Sequence, residues 1–220
     1  MPREMVDYLT QSLGLSSEDV YRVEGPLNVS DLSVLCDLNR PDLKFRPLRS
    51  IVPERLKTRR SMFDVIKERD LLLHHPYMAY STVTRFIRDA AEDPDVLAIK
   101  ICLYRTGQQS KIAEALIHAA EQGKQVTTVV ELKARFDEEN NIEWARRLEH
   151  AGVHVVYGLL GLKTHCKLTL VVRRDGDGLT RYVHIATGNY NPSRRRPIRT
   201  SVSLPPMNRL GRTRLNSLTI

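Results

Sequence analysis

The middle of the chain alternates between helix and strand patterns, and this alternation limits the possible folds more than any other feature. Apolar residues at helical spacing in residues 80–91 precede a continuous apolar run, VLAIKICLY, at residues 96–104. The next helix is predicted to begin after Ser110 and to end at Gly123, and the strand QVTTVVEL follows. A strand, a helix and a second strand in this order predict two parallel strands joined by a right-handed crossover.

The alternation continues toward the carboxyl terminus. EENNIEWARRLEHAG, residues 138–152, predicts a further helix, and VHVVYG predicts the next strand. HCKLTLVVRR, the turn DGDG and TRYVHIAT then predict a β-hairpin. Together these segments predict an α/β fold in which helices flank a mixed sheet.

The two ends of the chain differ from this regular region. Residues 1–50 contain one short helical pattern and lead into a connector with three prolines at residues 39–56, which places a domain boundary near residue 51. We expect one domain from there to about residue 193. The basic segment 194–220 is predicted to be an atypical tail, without a strand or helix period, whose removal would barely change stability.

Composition indicates a soluble protein of the cytoplasm. Nowhere among the 220 residues is there an apolar run long enough for a signal peptide or a membrane span. The three cysteines have no CxxC spacing, which argues against a zinc site and a disulfide framework.

The positive charge of the chain is concentrated in its tail. The net charge is +8, but seven arginines and no acidic residue follow Ser193, and the rest of the chain has 27 basic and 26 acidic residues. The tail has no aromatic residue on which a base could stack. We therefore expect no specific nucleic-acid partner, although the tail would bind polyanions nonspecifically.

His165 and Lys167 form the first candidate site. Alternate residues of a strand point to the same face, so the imidazole and the ammonium should share one side of the strand. A neutral imidazole can attack phosphorus, and a neighbouring lysine can hold phosphate oxygens. On spacing alone, a solvent-facing pair at a strand edge is the commoner arrangement.

Further cationic residues follow the predicted strands. Arg105 comes directly after one strand, and Lys133 and Arg135 come after the next. Ligands of α/β sheets bind outside the carboxyl ends of the strands, so these residues predict an anion site. The alternative is that the two arginines pair with the acids at residues 137–139. Asn189, in TGNYN, lies either in an anion-binding turn or in a plain polar turn.

Several motifs in this order carry a family resemblance. DLLLHHPY, the run from VLAIKICLYRTGQQSKIAEALI to GLKTHCKL, and YVHIATGNYN resemble the long, multidomain bacterial polyphosphate kinases. The resemblance implies a phospholipase-D-like catalytic domain at residues 51–193, preceded by the end of an upstream domain. It also implies reversible transfer of the terminal phosphate of ATP to inorganic polyphosphate.

The resemblance implies a role for each candidate residue. His165 matches the histidine that becomes phosphorylated, and Lys167 would stabilise the oxygens of the transferred phosphate. Arg105 and Arg135 match the magnesium-phosphate site, which they would contact indirectly, because a guanidinium has no lone pair for a metal. Lys133 and Asn189 are further substrate-binding candidates. The implied cofactor is Mg²⁺, the implied partners are ATP or ADP and polyphosphate, and the full-length family is expected to form homo-oligomers.

The chain also departs from the family pattern. Members continue after GNYN with a strand that contains a tyrosine, where this chain has Ile198, and they carry a second phospholipase-D-like domain. A non-catalytic polyanion-binding fragment is therefore an alternative. A phospholipase-D-like phosphodiesterase is a weaker one, because that motif requires an aspartate where Val172 stands.

Overall fold

The computed structural model of the chain describes residues 1–25, 27–46, 48–104, 110–131, 138–158, 161–190 and 201–204, the last of these as backbone only. The chain divides into two compact units, Met1–Pro47 and Leu48–Ile220. Among the described residues, no helix is long and apolar enough to cross a membrane.

The first unit is small and has no buried core among its described residues. It contains the helix α1 (Arg3–Ser12) and three short 3-10 segments, Ser17–Asp19, Val29–Asp37 and Pro41–Leu43. Its large apolar side chains are exposed, as Phe45 shows most clearly. The limits of the domains, with residues 1–50 as the end of an upstream domain, remain a prediction.

The second unit contains the predicted alternation. Its helices and strands are α2 (Met62–Glu68), β1 (Leu71–Leu73), α3 (Ser81–Glu92), β2 (Val96–Leu103), α4 (Lys111–Glu121), β3 (Gln125–Val130), α5 (Glu138–His150), β4 (His154–Val156), β5 (Lys167–Asp175), β6 (Gly178–Ala186) and β7 (Ser201–Leu204), with a 3-10 turn at Glu54–Leu56. The Ser110 hydroxyl caps α4 by accepting from the Ala113 amide at 3.2 Å. The elements predicted between residues 80 and 187 are confirmed to within two residues.

One seven-stranded mixed sheet organises this unit. The strand order is β1-β7-β6-β5-β2-β3-β4. The pairs β2–β3 and β3–β4 are parallel, and all other neighbouring pairs are antiparallel. The helices pack in a row, since α3 contacts α4 and α4 contacts α5. The predicted α/β fold, a mixed sheet flanked by helices, is confirmed.

The core lies between this row of helices and the sheet. Fully buried side chains come from both layers, among them Phe63, Ile87, Ile99, Leu116, Leu148, Val171 and Tyr182. Burial of such side chains typically contributes about 1.5–3 kcal/mol each. The core therefore fixes the positions of the strands. The polar candidate residues lie at the ends of these strands.

The register of the strands brings those ends together. Ile101 pairs with Thr169, so the carboxyl end of β2 lies beside the first residues of β5. Lys167 pairs with Ala186, which places the end of β6 next to them. We call this side of the sheet, formed by Tyr104, Glu131, Lys167 and Ala186, the site edge.

The strand β7 corrects one expectation about the tail. The sequence predicts no strand after Ser193, but Ser201–Leu204 forms a strand between β1 and β6. SVSL alternates polar and apolar residues, which is the period of a strand, and the count of arginines around it obscured this signal. Removal of the tail would leave β1 without this pairing partner, so we now expect truncation to lower the stability of the second unit. Residues 194–200 and 205–220 lie outside the described part of the chain.

An ion cluster lies at the other ends of the strands, where β2 begins and β5 ends. The Arg173 guanidinium donates to Asp93 and Asp95, at 3.0 Å each, and to Asp175 at a shorter distance. Lys67 pairs with Asp175 at 2.7 Å, and the Tyr182 hydroxyl donates to the same carboxylate at 2.6 Å. This cluster ties α2, the start of β2 and the β5–β6 hairpin together.

Candidate active site

His165 and Lys167 lie where an irregular segment enters β5. Lys167 is the first residue of the strand and is 4% exposed, whereas His165 precedes the strand and is exposed. The Lys167 ammonium donates a short hydrogen bond to the carbonyl of His165. A buried cation is thus held directly beside an accessible imidazole.

The aromatic ring of Tyr104 forms the floor of this pair. Its centroid lies 5.2 Å from that of the His165 imidazole, in an edge-to-face arrangement with an interplanar angle of 81°. The ammonium of Lys167 lies 4.8 Å from the same centroid, and that of Lys163 lies 5.4 Å away. The negative face of the ring attracts both cations. The imidazole and the two ammonium groups therefore all lie close to the Tyr104 ring.

The charges around His165 disfavour its protonated form. Lys167 lowers the pKa of His165 most, followed by partial burial and then by Lys163. A lowered pKa increases the fraction of imidazole with a free lone pair at neutral pH. The same cations that would attract a phosphate therefore prepare the ring to act as a nucleophile.

Two neighbouring strand ends support the segment before His165. The Glu131 carboxylate accepts a hydrogen bond of 2.8 Å from the backbone amide of Thr164, and Glu131 is itself 6% exposed. The side chain of Asn141, on α5, donates to the backbone carbonyls of Tyr104 and Glu131, at 2.9 Å each. Side-chain hydrogen bonds therefore connect the ends of β2 and β3 with the segment before His165, beyond the last backbone pairing of these strands.

A buried hydrogen-bond chain fixes the turn after β6. The Tyr190 hydroxyl lies 2.8 Å from the Thr169 hydroxyl and 2.7 Å from Nδ1 of His184. This chain holds the turn against β5 two residues from Lys167. Within the part of the chain that the structure describes, Oδ1 of the neighbouring Asn189 is buried without a hydrogen-bond partner.

The structure brings some of the predicted site residues together and does not describe others. His165 and Lys167 share the Tyr104 ring, and Asn189 lies three residues after the end of β6, the strand that pairs with β5. Arg105, Lys133 and Arg135 lie outside the described residues. The described backbone reaches Tyr104, directly before Arg105, and Glu131, two residues before Lys133.

The described residues do not provide a ready magnesium cage. Across the described ranges, no cluster of three or more histidine, cysteine, aspartate or glutamate side chains could hold a metal ion. Mg²⁺ prefers oxygen ligands and is commonly shared between one or two carboxylates and the phosphates of a substrate.

Replacement of Lys167 by methionine should raise the pKa of His165 toward its ordinary value, because the nearest cation is lost. The pKa is measured by NMR titration of the imidazole resonances in the 220-residue chain. Lys163→Met should have a smaller effect in the same direction, and Lys111→Met, on α4 away from the site edge, should have none. An unchanged His165 pKa in the Lys167 variant would show that the two side chains are not neighbours in solution.

The buried His184 should make the chain sensitive to mild acid. Burial, and secondly the charge of His75, lower the pKa of His184 to about 4. Between pH 6.5 and 4 the unfolded state binds a proton that the folded state does not. The free energy of unfolding should therefore decrease by up to about 3 kcal/mol as the pH is lowered from 6.5 to 4. Urea titrations at several pH values measure this slope.

His184→Gln should flatten the acid dependence, and His118→Gln, at an exposed position of α4, should leave it as it is. If the slope between pH 6.5 and 4 is equal in both variants, His184 is not the buried neutral group.

Comparison with known proteins identifies the family of the chain. The family model described as "Polyphosphate kinase C-terminal domain 1" matches residues 61–208. The chain belongs to the polyphosphate kinase family. The resemblance in the motifs is therefore confirmed, and the match runs past residue 193, into the segment that the sequence predicts to be atypical.

Individual polyphosphate kinases agree with this assignment. Those of Parasynechococcus marenigrum (strain WH8102) and Mycolicibacterium gilvum (strain PYR-GCK) are 51% and 53% identical to the chain, each over 87% of it. The crystal structure of polyphosphate kinase from Porphyromonas gingivalis superposes with a TM-score of 0.74 and 31% identity, over 93% of the chain.

The chain is much shorter than these relatives. It spans 29% and 27% of the two curated polyphosphate kinases and 31% of the chain in the crystal structure. The family assignment thus describes a part of a larger enzyme.

Proposed function

We propose that this chain carries the phosphohistidine step of an ATP:polyphosphate phosphotransferase. One observation supports this most strongly: an accessible imidazole and a buried ammonium, which lowers the pKa of that imidazole, share the Tyr104 ring at the site edge. Both predicted cationic segments follow directly from that edge. A nucleophile for phosphorus and the charges that hold phosphate oxygens would then meet in one place.

In the proposed reaction, a ring nitrogen of His165 attacks the γ-phosphorus of ATP. The bond from that phosphorus to the bridging oxygen breaks, ADP leaves, and a phosphorus–nitrogen bond forms. A terminal oxygen of polyphosphate then attacks the same phosphorus, the bond to nitrogen breaks, and the polymer is longer by one phosphate. The reverse sequence returns the phosphate to ADP.

The other residues would bind and orient the phosphates. The Lys167 charge acts on the transferred group, and Arg105, Lys133 and Arg135 would contact the flanking phosphate oxygens, where a guanidinium can bind in bidentate fashion. Asn189 would donate from its amide at the end of β6. Magnesium would enter bound to the phosphates of ATP, since the described residues offer no carboxylate cluster for it.

The setting follows from the same proposal. We expect a protein that uses ATP and polyphosphate to act in the cytoplasm. We also expect the complete enzyme to be a homo-oligomer. The tail is expected to bind nucleic acid only nonspecifically.

The second candidate function is polyanion binding without turnover. It is favoured by the two lysines beside the Tyr104 ring, Lys163 and Lys167, because their ammonium groups can attract phosphate oxygens without a covalent step.

The test is to incubate the 220-residue chain with magnesium and ATP labelled in the γ-phosphate. Label that is lost in acid and kept in base is the signature of phosphohistidine, and its release by ADP or polyphosphate completes the reaction. A separate titration measures polyphosphate binding. Binding without label would support the second candidate, and the absence of both would overturn the proposal.

A further inference from the structure

Asn141 is a fully buried polar residue in the core-facing stripe of α5. It lies in the first turn of the helix, and the buried Trp144, Ala145 and Leu148 continue the same stripe. Burial of a side-chain amide is costly unless its hydrogen bonds are made. The presence of an amide at a position that suits an apolar residue therefore requires an explanation.

The hydrogen bonds of Asn141 join two strand ends. Its Nδ2 donates at 2.9 Å to the carbonyl of Tyr104 and at 2.9 Å to the carbonyl of Glu131, so both protons are used. The backbone bond between β2 and β3 nearest this end runs from the Glu131 amide to the Leu103 carbonyl at 3.1 Å. The side chain of Asn141 continues the connection between the strands at their very tips.

Each of the two tied residues contacts the His165 segment. The ring of Tyr104 lies against the His165 imidazole and the Lys167 ammonium, and the Glu131 carboxylate accepts the amide of Thr164. These contacts come from different strands. A change in the separation of the two strand tips would therefore move the imidazole relative to its neighbouring cation.

We propose that Asn141 is a positioning residue, which holds the tips of β2 and β3 together and thereby holds His165 beside Lys167. It does not touch substrate, and it acts through Tyr104 and Glu131. The link to phosphate binding rests on the proposed function, because the segments that follow these tips carry Arg105, Lys133 and Arg135. The link to the position of His165 rests only on the described contacts.

A purely structural role is the competing explanation, and Leu148 provides the matched control. Leu148 is on the same helix and is equally buried, but it is an apolar core residue without a hydrogen bond to the site edge. Leu148→Ala should lower the melting temperature at least as much as Asn141→Leu or Asn141→Ala. All variants are compared at a temperature at which each is folded.

The first measurement is the pKa of His165, followed by NMR titration. In Asn141→Leu and Asn141→Ala it should rise toward the ordinary value, because the imidazole is no longer held beside Lys167, and in Leu148→Ala it should equal that of the unchanged chain. The second is the affinity for inorganic tripolyphosphate, which should fall about tenfold in the Asn141 variants only.

Two results would overturn the proposal: Asn141 variants with an unchanged His165 pKa, or a Leu148 variant that shifts it equally. If the unchanged chain does not bind tripolyphosphate, the proposed function fails, but the pKa comparison still decides the role of Asn141. If the Asn141 variants do not fold, hydrogen exchange of the unchanged chain decides it. The Thr164 and Glu131 amides should then exchange with the same protection, and an unprotected Thr164 amide would contradict the proposal.

Discussion

A chain in which asparagine replaces His165 is expected to take up no acid-labile phosphate from ATP. Asparagine is polar and of similar reach, but its amide nitrogen has no lone pair available for attack on phosphorus. In a chain extended to the full length of its relatives, polyphosphate synthesis should fall by about 10⁴-fold or more, the scale on which removal of a nucleophile acts. Filter-retained label and polymer length measure the two effects.

The control variants separate this site from other histidines. His74→Asn, beside the Tyr77 ring, and His154→Asn, on the edge strand β4, replace two other exposed histidines. Both should retain the label of the unchanged chain. Label retained by the His165 variant, or lost equally in all three, would show that another residue carries the phosphate.

Removal of Arg173 is expected to have the largest effect on stability. Arg173→Ala would leave Asp93 and Asp175, which are 13% and 10% exposed, without the guanidinium that lies between them. Breaking a largely buried ion cluster by removing one member typically costs about 3 kcal/mol or more. Lys67 and Tyr182 remain on Asp175 in this variant, so most of the loss should come from the largely buried Asp93 carboxylate. Urea unfolding followed by the fluorescence of Trp144, the one tryptophan of the chain, measures the loss within the second unit.

Acid should reduce this penalty. Burial opposes ionisation of Asp175, but hydrogen bonds from Lys67, Tyr182, Thr180 and Arg173 lower its pKa to about 2. Its stabilising charge is present above pH 3.8 and is lost as the pH falls toward 2, so the difference between Arg173→Ala and the unchanged chain should shrink over that range.

Arg88→Ala is the matched control, because that arginine is 61% exposed and its distances to Asp89 and Glu92 are 3.7 and 3.8 Å. It should change stability by less than about 1 kcal/mol. Equal losses in the two arginine variants would mean that the cluster contributes no more than a surface ion pair.

The regular part of the fold could be predicted because its signals are local. Each strand from β2 to β6 is an apolar run bounded by a cap, a glycine or a turn, and each helix shows its own period. The short strands could not be predicted in this way. The segment LLL of β1 and the four residues of β7 become strands only because they pair with each other and with β6, and a window of sequence does not contain those partners.

The same distinction applies to the candidate site. The proximity of His165 and Lys167 could be predicted because they are two residues apart, although His165 lies in the irregular segment before β5 and not in the strand itself. Asn141 could not, because its function depends on Tyr104, which is 37 residues away. A signal was present nonetheless: an asparagine three residues before Trp144 and seven before Leu148 interrupts an otherwise apolar helical stripe.

The place of β7 in the sheet has a consequence for how the protein is made. β7 separates β1 from the rest of the strands, and it is formed by residues 201–204, far along the chain from residues 71–73. On the ribosome, β2 to β6 can pair as soon as they emerge, while the LLL segment has no strand to join until residue 204 has left the exit tunnel. Until then the outer edge of β6 is open to other chains. Slow translation of the arginine-rich stretch just before β7 would prolong that exposure, so aggregation during synthesis should depend on codon choice there.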